Sequence, residues 1–537
     1  MAVTPIAANA SISTAIAAGA NNDIFTLAAG TYRGQTFTPK PGQQFWGEKA
    51  GRTVISGARS VTTWTSGSGQ FYATQASYDG NSNVALPDPI SQAKFVGSIS
   101  GTTLTVSSVV TGTVQDNWYV YGANVVPGTR ITGGSGSTWT VTPSQTVSST
   151  TMVISGWRYL QVASGGEMSM AREDLYVDGV RYTRVMPPGP ATAGTWWFDI
   201  VNKRIYVSTN LTGHVVEYAC TPNIYGEYIE QTGGAAVGTY FENITFEKFA
   251  TDMLGVFWGV HGWTWKNCAF QHNHMTGLHI GSGCKIDGCY ITDNGLYGIV
   301  NGDFNGPTTV TSSEISFTGW GKYDLNSDGG GFKLVNCAAV VTDNHIHDNS
   351  GSGAWFDIDC AGCIIARNLV TNNDGAGIFY EISWGNTKIF NNTCSNNSAA
   401  QIYISNSSGC EVYGNVCYVK PGNANSNAGI VALTQDRGTN SAGATPQVQS
   451  VNVHDNLIIH TADTSTNGVF CYKSVTNPSW LWNNNQYVVP GSGSYWIFDN
   501  SNGLSGGTGT KTWAALQVNQ TYETGPRSSA TYPSSPT

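Results

Sequence analysis

The sequence predicts an all-β chain: a right-handed, single-stranded parallel β-helix with an inserted antiparallel β-module or β-sandwich. Three observations predict it. Charged residues make up 11% of the 537 and glycine supplies 65, whereas an average soluble domain carries about 25% charged residues; this is the composition of short strands and many turns. Asparagine-centred turns recur at Asn243, Asn267, Asn344, Asn368, Asn392 and Asn415, each ahead of a β-prone stretch, with neighbouring spacings of 24, 24, 24 and 23 residues. A second phase agrees, because Gly277, Gly298, Gly353 and Gly377 each open an apolar run after an Asn/Asp-rich turn. A unit of two or three such strands is too short to enclose a core and must stack on its neighbours.

Residues 1–93 read as an N-terminal cap and first coils, with apolar and polar residues alternating between glycine turns over 20–62. Residues 94–155 are Ser/Thr/Gly/Val-rich hairpin sequence with almost no charge, and read as an inserted β-module. Residues 156–235 contain antiparallel-type strands around Asp178-Gly179 and Pro187-Pro188-Gly189, expected to pack beside the helix. Residues 236–537 form the main β-helix and C-terminal cap; a Gly/Asn/Ser loop interrupts the coils at 421–450, and a helical turn is expected at Trp513–Gln517.

Composition also excludes partners. A net charge of −9 leaves no basic surface for phosphates, so neither nucleic acid nor an anionic membrane is expected. No apolar run is long enough to span a bilayer. The first residues lack the pattern of an export signal, and the expected location is extracellular or periplasmic, with any signal peptide absent from this sequence. Most of the 11 cysteines fall in the periodic region, Cys268 to Cys417, which favours stacked buried thiols over a disulfide framework. Cys360-x-x-Cys363 lacks a second pair or a histidine set, so no metal site and no cofactor are expected.

In a β-helix, residues one repeat apart sit side by side, about 4.8 Å apart. Aligning Gly353–Ile358 on Gly377–Ile382 brings Asp357 and Glu381 to one position of adjacent coils. Like charges that close favour one protonated and one ionised carboxyl, the division of labour of glycosidic cleavage. Carboxyls on adjacent coils fit the roughly 5–5.5 Å of a retaining glycosidase. Asp359, at the same strand parity as Asp357, is a fallback partner. Asp328 lies one coil earlier in a Gly-rich segment, and Lys333 offers a charge that would hold a carboxylate ionised. Trp355, Tyr380, Trp384 and Trp320 crowd the acids as expected sugar-stacking faces, with Phe379 and Tyr323 nearby, and His279, His261 and Asn301 lie on the same flank as candidate hydroxyl binders.

The stretch from Gly351 through Ser383, with Phe-Asp-Ile-Asp and Tyr-Glu-Ile-Ser around the acids, resembles the parallel β-helix glycosidases of glycoside hydrolase family 120, which are β-xylosidases. That family also inserts a β-sandwich into its helix, as 94–235 is expected to do. The resemblance implies Asp357 as nucleophile, Glu381 as general acid/base and Asp328 as a third carboxylate near the leaving group. The expected partner is thus a carbohydrate, a polysaccharide or its oligomers, and the expected activity retaining hydrolysis by a monomer or homo-oligomer. Two other classes share the fold: polysaccharide lyases, which need a Lys or Arg base and often calcium, and non-catalytic phage tailspikes or adhesins, which the 94–155 segment resembles.

Overall fold

The computed structural model describes residues 1–67, 70–74, 93–116, 118–122, 124–126, 129–155, 172–185, 192–199, 204–226, 237–301, 306–323, 328–419, 428–434, 446–460, 468–473, 481–488, 495–498 and 510–511. The turn expected at Pro187-Pro188-Gly189, most of the 421–450 loop and the helical turn at 513–517 lie outside these residues. The chain is a right-handed parallel β-helix of about 15 turns. Three long sheets run along it: a first of 13 strands from Val3–Ile6 to Leu481–Asn483, a second of 12 from Gly30–Arg33 to Gln486–Val488, and a third of 10 that starts at Thr276–Ile280.

Alternation of side chains sends one set inward. Rings stack where coils stack: Phe25 lies 5.2 Å from Phe45, which lies 4.9 Å from Phe241. Each fully buried ring of this kind stabilises by about 2–3 kcal/mol. A helix, Ile12–Ala18, packs on the first coils; Ser11 caps it by accepting from the Thr14 amide at 3.1 Å, and Ile12 and Ile16, four apart on one face, enter the core. Nine cysteines from Cys268 to Cys417 are buried free thiols, as is Cys220 in the antiparallel part. Even Cys337 and Cys360, whose sulfurs approach to 3.8 Å, share a thiol hydrogen bond and not a disulfide.

The asparagine turns hold two positions rather than one. Asn243, Asn267 and Asn391 take positive φ at a corner, as do Asp343 and Arg367. The residue after the corner points inward, and there Asn344, Asn368, Asn392, Asn415, Asn456 and Asn485 form a buried ladder. In it, Asn368 Oδ1 accepts from both the amide and Nδ2 of Asn344, while its own Nδ2 donates to Asn392 Oδ1 and to the Val341 carbonyl. A parallel ladder of Asn349, Asn373 and Asn397 ends on Gln401. It explains the second glycine phase, because a Cβ on Gly353 would stand 2.8 Å from Asn373 Nδ2 and one on Gly377 2.6 Å from Asn397 Nδ2.

Strand Gln44–Gly47 pairs with Tyr240–Glu242, and Thr53–Ser56 with Thr245–Glu247. The coils are therefore continuous across the intervening segment, whose described strands, apart from Tyr225–Gly226, form two further sheets. One has four strands from Ala93 to Ser155 with its own core of Phe95, Ile99, Leu104, Trp139, Met152 and others. The other has eight strands, and it includes Ala58–Ser60, Thr65–Gly67 and Gln70–Thr74. The segment 58–74, counted with the first coils on sequence alone, thus pairs with strands between Asp174 and Ala219. This eight-stranded sheet sits on the corner between the second and third long sheets. Arg172 meets Asp252 at 3.2 Å, Asp174 meets His274 Nδ1 at 2.9 Å, and the Tyr176 hydroxyl donates to the His272 carbonyl at 2.9 Å.

Candidate active site

The third long sheet carries the candidate residues. Its inward rows are apolar: Phe332, Ala354, Ile378 and Ile402 in one, Leu334, Phe356, Tyr380 and Ile404 in the next. The intervening outward row runs Val300, Lys333, Trp355, Phe379, Tyr403. A second outward row runs through Val335 and Asp357. Trp355 on Phe379 and Phe356 on Tyr380 set the register, which carries Asp357 to the rung of Glu381, and the Ile358 amide donates to the Glu381 carbonyl at 3.2 Å. The two acids are thus one coil apart on the outer face, and both are buried, at 5% and 3% exposure.

Lys333, one coil before Asp357, places Nζ 3.1 Å from Asp357 Oδ2 and 3.8 Å from the centre of the Trp355 ring. Lys333, half-buried, thus sets its ammonium directly against this carboxyl. Asp357 Oδ1 is buried and has no hydrogen-bond partner among the described residues. Asp328 joins from above: its Oδ1 accepts from the Tyr297 hydroxyl at 2.7 Å. Burial, then the Asp328 charge, push the Tyr297 phenol well up, so it stays protonated and donates. Asp328 reaches the sheet because its coil is longer. Thr318 and Asn349, equivalent in the ladder, are 31 residues apart where Asn349 and Asn373 are 24 apart. The added residues fall between Ser316 and Gly330 and include Trp320, Tyr323 and Asp328. Tyr323 packs with Tyr297, Leu296 and Val300 on the outer face.

Several expected binding residues are engaged otherwise. Tyr380 faces the interior, fully buried, and its hydroxyl donates to the Cys360 carbonyl at 2.8 Å, because its parity is that of Phe356. Asn301 is occupied by backbone: Nδ2 donates to the Val335 carbonyl at 2.8 Å and Oδ1 accepts from the Val335 amide at 2.6 Å. Trp320 lies under the Arg181 guanidinium of the eight-stranded sheet, 3.1 Å from the ring centre, so that face is covered. Trp355 is covered on both faces, by Lys333 and by Phe379, whose ring centre is 5.1 Å away. Trp384 starts a strand of the first sheet, pairing with Ser408, because the chain turns at Ile382, where φ is +45°. The aromatic groove expected from the sequence is therefore not a stacking surface. Asp359 drops out as a fallback on its parity argument, since the strand ends at Asp357 and both Ile358 and Asp359 take positive φ.

His279 holds the outward position one coil before Val300. It is 6% exposed, and its Nδ1 has no hydrogen-bond partner among the described residues. Burial, with a smaller contribution from His261, lowers its pKa to about 4, so the ring is neutral at physiological pH. Tyr297 and Arg181 are the site residues that sequence reasoning missed. The 31-residue coil from Glu314 to His345 was the available signal for the Asp328 segment that Tyr297 meets; nothing local pointed to Arg181. Among the described residues no set of three or more His, Cys, Asp or Glu converges as a metal-binding group, and no helix is long and apolar enough to cross a membrane.

Comparison with known proteins agrees on architecture. The family described as a right handed beta helix region matches residues 255–417, the stretch that holds both acids. No curated protein sequence matches the chain. Among solved structures, the complex of XylC with xylose is similar at 13% identity and a TM-score of 0.59, over 93% of this chain and 84% of that one. A glycoside hydrolase is similar at 11% identity and a TM-score of 0.44, over 90% and 96%. The A-module of the mannuronan C-5 epimerase AlgE4 of Azotobacter vinelandii is similar at 12% identity and a TM-score of 0.39, over 89% and 88%. At these identities the likeness is one of fold.

Proposed function

We propose that the chain is a retaining glycoside hydrolase acting on a polysaccharide or its oligomers. The observation that carries this reading is the setting of Asp357: one carboxylate oxygen is held by Lys333, the other is buried with no partner among the described residues, and a second carboxyl, Glu381, occupies the next rung. An ionised oxygen with no competing bond is what attack on an anomeric carbon requires. Glu381, about 4.8 Å along the stack, protonates the leaving oxygen and then activates water. That spacing is too short for a water to intervene, which supports retention over inversion. Asp328, oriented by Tyr297, is the third carboxylate beside the leaving group. The similarity to a structure solved with xylose makes pentosides the first substrates to try.

A lyase would need a neutral amine as base. Lys333 is instead engaged, its ammonium paired with Asp357 and seated over the Trp355 indole face. Incubation with neutral and uronic-acid polysaccharides tests the reading: reducing ends without unsaturated 4,5-products are expected, unsaturated products would mark a lyase, and neither would mark a binding protein. On an active substrate, Asp357→Ala and Glu381→Ala are each expected to lower kcat by about two orders of magnitude or more. Azide is expected to rescue Asp357→Ala with inverted product. A first-formed wild-type product of inverted configuration by NMR would rule out the retaining mechanism.

A further inference from the structure

Trp355 is placed for recognition yet unable to stack. It is the outward residue two positions before Asp357 on the same strand, 4% exposed. Both of its faces are occupied by neighbours in the row, the Lys333 ammonium at 3.8 Å on one side and the Phe379 ring at 5.1 Å and 22° on the other. The stack continues to Tyr403, 4.8 Å beyond Phe379 and within 4° of parallel. What remains is the ring edge. There the indole Nε1 is buried and has no hydrogen-bond partner among the described residues. A buried N–H left without an acceptor costs about as much as a lost hydrogen bond, and such atoms gather where a ligand completes the set. On the same strand Asp357 Oδ1 is an orphan of the complementary kind, an acceptor. A sugar seated with its anomeric carbon at that oxygen carries ring hydroxyls, and a hydroxyl oxygen can accept from the indole N–H.

We propose that Trp355 determines specificity by its edge: the indole N–H donates to a hydroxyl oxygen of the sugar ring seated against Asp357, and the ring faces serve only to hold the indole and Lys333 in register. The inference rests on the reading that a sugar occupies this site. It differs from a stacking platform in what it selects, because stacking tolerates the loss of one hydroxyl whereas a buried donor does not.

The test uses the full chain with indole ¹⁵N labelling and a panel of neutral monosaccharides and their 4-nitrophenyl glycosides. Trp355→Phe, which keeps a smaller ring between Lys333 and Phe379 and removes the N–H edge with the pyrrole half of the indole, identifies the Trp355 resonance. A saturable downfield move of that resonance with a bound sugar is expected; a resonance unmoved while a sugar saturates the site overturns the proposal. In kinetics, Trp355→Phe is expected to lose about tenfold or more in kcat/KM on the parent glycoside. It should lose little on the monodeoxy glycoside that lacks the contacted hydroxyl. Equal losses on the parent and on every monodeoxy glycoside would show a packing effect and overturn it. Sugar that binds and shifts Trp355 without bond cleavage leaves this inference standing and removes the hydrolase reading. Cleavage without a response at Trp355 does the reverse, and no binding by any sugar of the panel removes both.

Discussion

His279 is held neutral by burial, and the consequence is a pH dependence with a definite sign. Its folded pKa is lowered to about 4 from 6.5, so between those values the unfolded chain binds a proton that the folded chain refuses. Its contribution is therefore present in full above about pH 6.5 and is lost as pH falls toward 4. The loss is about 3 kcal/mol at most, from the size of the shift. Urea unfolding of His279→Gln is expected to show a flatter pH profile than the parent chain over this window, with the two converging in slope above pH 7. The Lys333–Asp357 pair behaves differently, since removing Lys333 takes an ammonium from a buried carboxyl. Lys333→Met is expected to cost about 3 kcal/mol in urea unfolding at pH 7. The double change with Asp357→Asn should cost less than the two single losses combined, because it removes both charges.

At the scale of the element, the coil is held by its two asparagine ladders as much as by its apolar lumen. Asn368→Ala in mid-ladder removes the acceptor of the Asn344 amide and side chain and the donor to the Val341 carbonyl. It also leaves buried polar groups unpaired. A loss of about 3 kcal/mol by urea unfolding is expected, and Asn484→Ala, at an exposed corner, should cost well under half of that. The 24-residue recurrence of this element could be read because ladder and corner both demand particular residues. Asparagine satisfies the ladder, and the positive φ of the corner favours asparagine, aspartate and glycine. Those two demands fall on adjacent positions, which is why Asn243 and Asn344 looked equivalent and are not. Parity within a strand put Asp357 and Glu381 on one outer row correctly, because it is a strict period of two. It failed at Asp359, where a left-handed corner ended the strand; Trp384 and Tyr380 were grouped with the acids by aromatic crowding alone, although a period of two turns Tyr380 inward. Which faces of Trp355 and Trp320 are covered depends on Lys333 and Arg181, partners 22 and 139 positions away, and no local pattern reports that.

At the scale of the molecule, the chain interrupts its helix after Ser56, builds two sheets, and resumes on the coil it left. The two sheets relate to that helix differently. The eight-stranded sheet meets the coils through groups that are charged or polar on both sides: Arg172 with Asp252, Asp174 with His274, Glu217 with Lys248, and Arg181 over Trp320. Removing it would take Asp174 from the buried His274 and Glu217 from the buried Lys248, which would keep only Glu247 at 3.3 Å. The four-stranded sheet instead encloses its own core, in which Phe95, Leu104, Ile131 and Met152 are fully buried among themselves. Its strands pair with one another, Thr138–Ser155 against Ala93–Gly112 and Tyr119–Gly122. A chain in which residues 93–155 are replaced by a short Gly/Ser linker is therefore expected to keep the coils folded, with an unfolding midpoint within a few degrees of the parent. Deleting the eight-stranded sheet should lower the midpoint sharply or prevent folding, because it breaks the buried Lys248–Glu217 and His274–Asp174 pairs. Circular dichroism melts of the two deletions check both outcomes. The first also asks whether the site needs the Ser/Thr-rich sheet: unchanged turnover of an active glycoside by the 93–155 deletion would assign catalysis to the coils and the eight-stranded sheet alone, and a lost turnover with intact coils would bring the four-stranded sheet into the reaction.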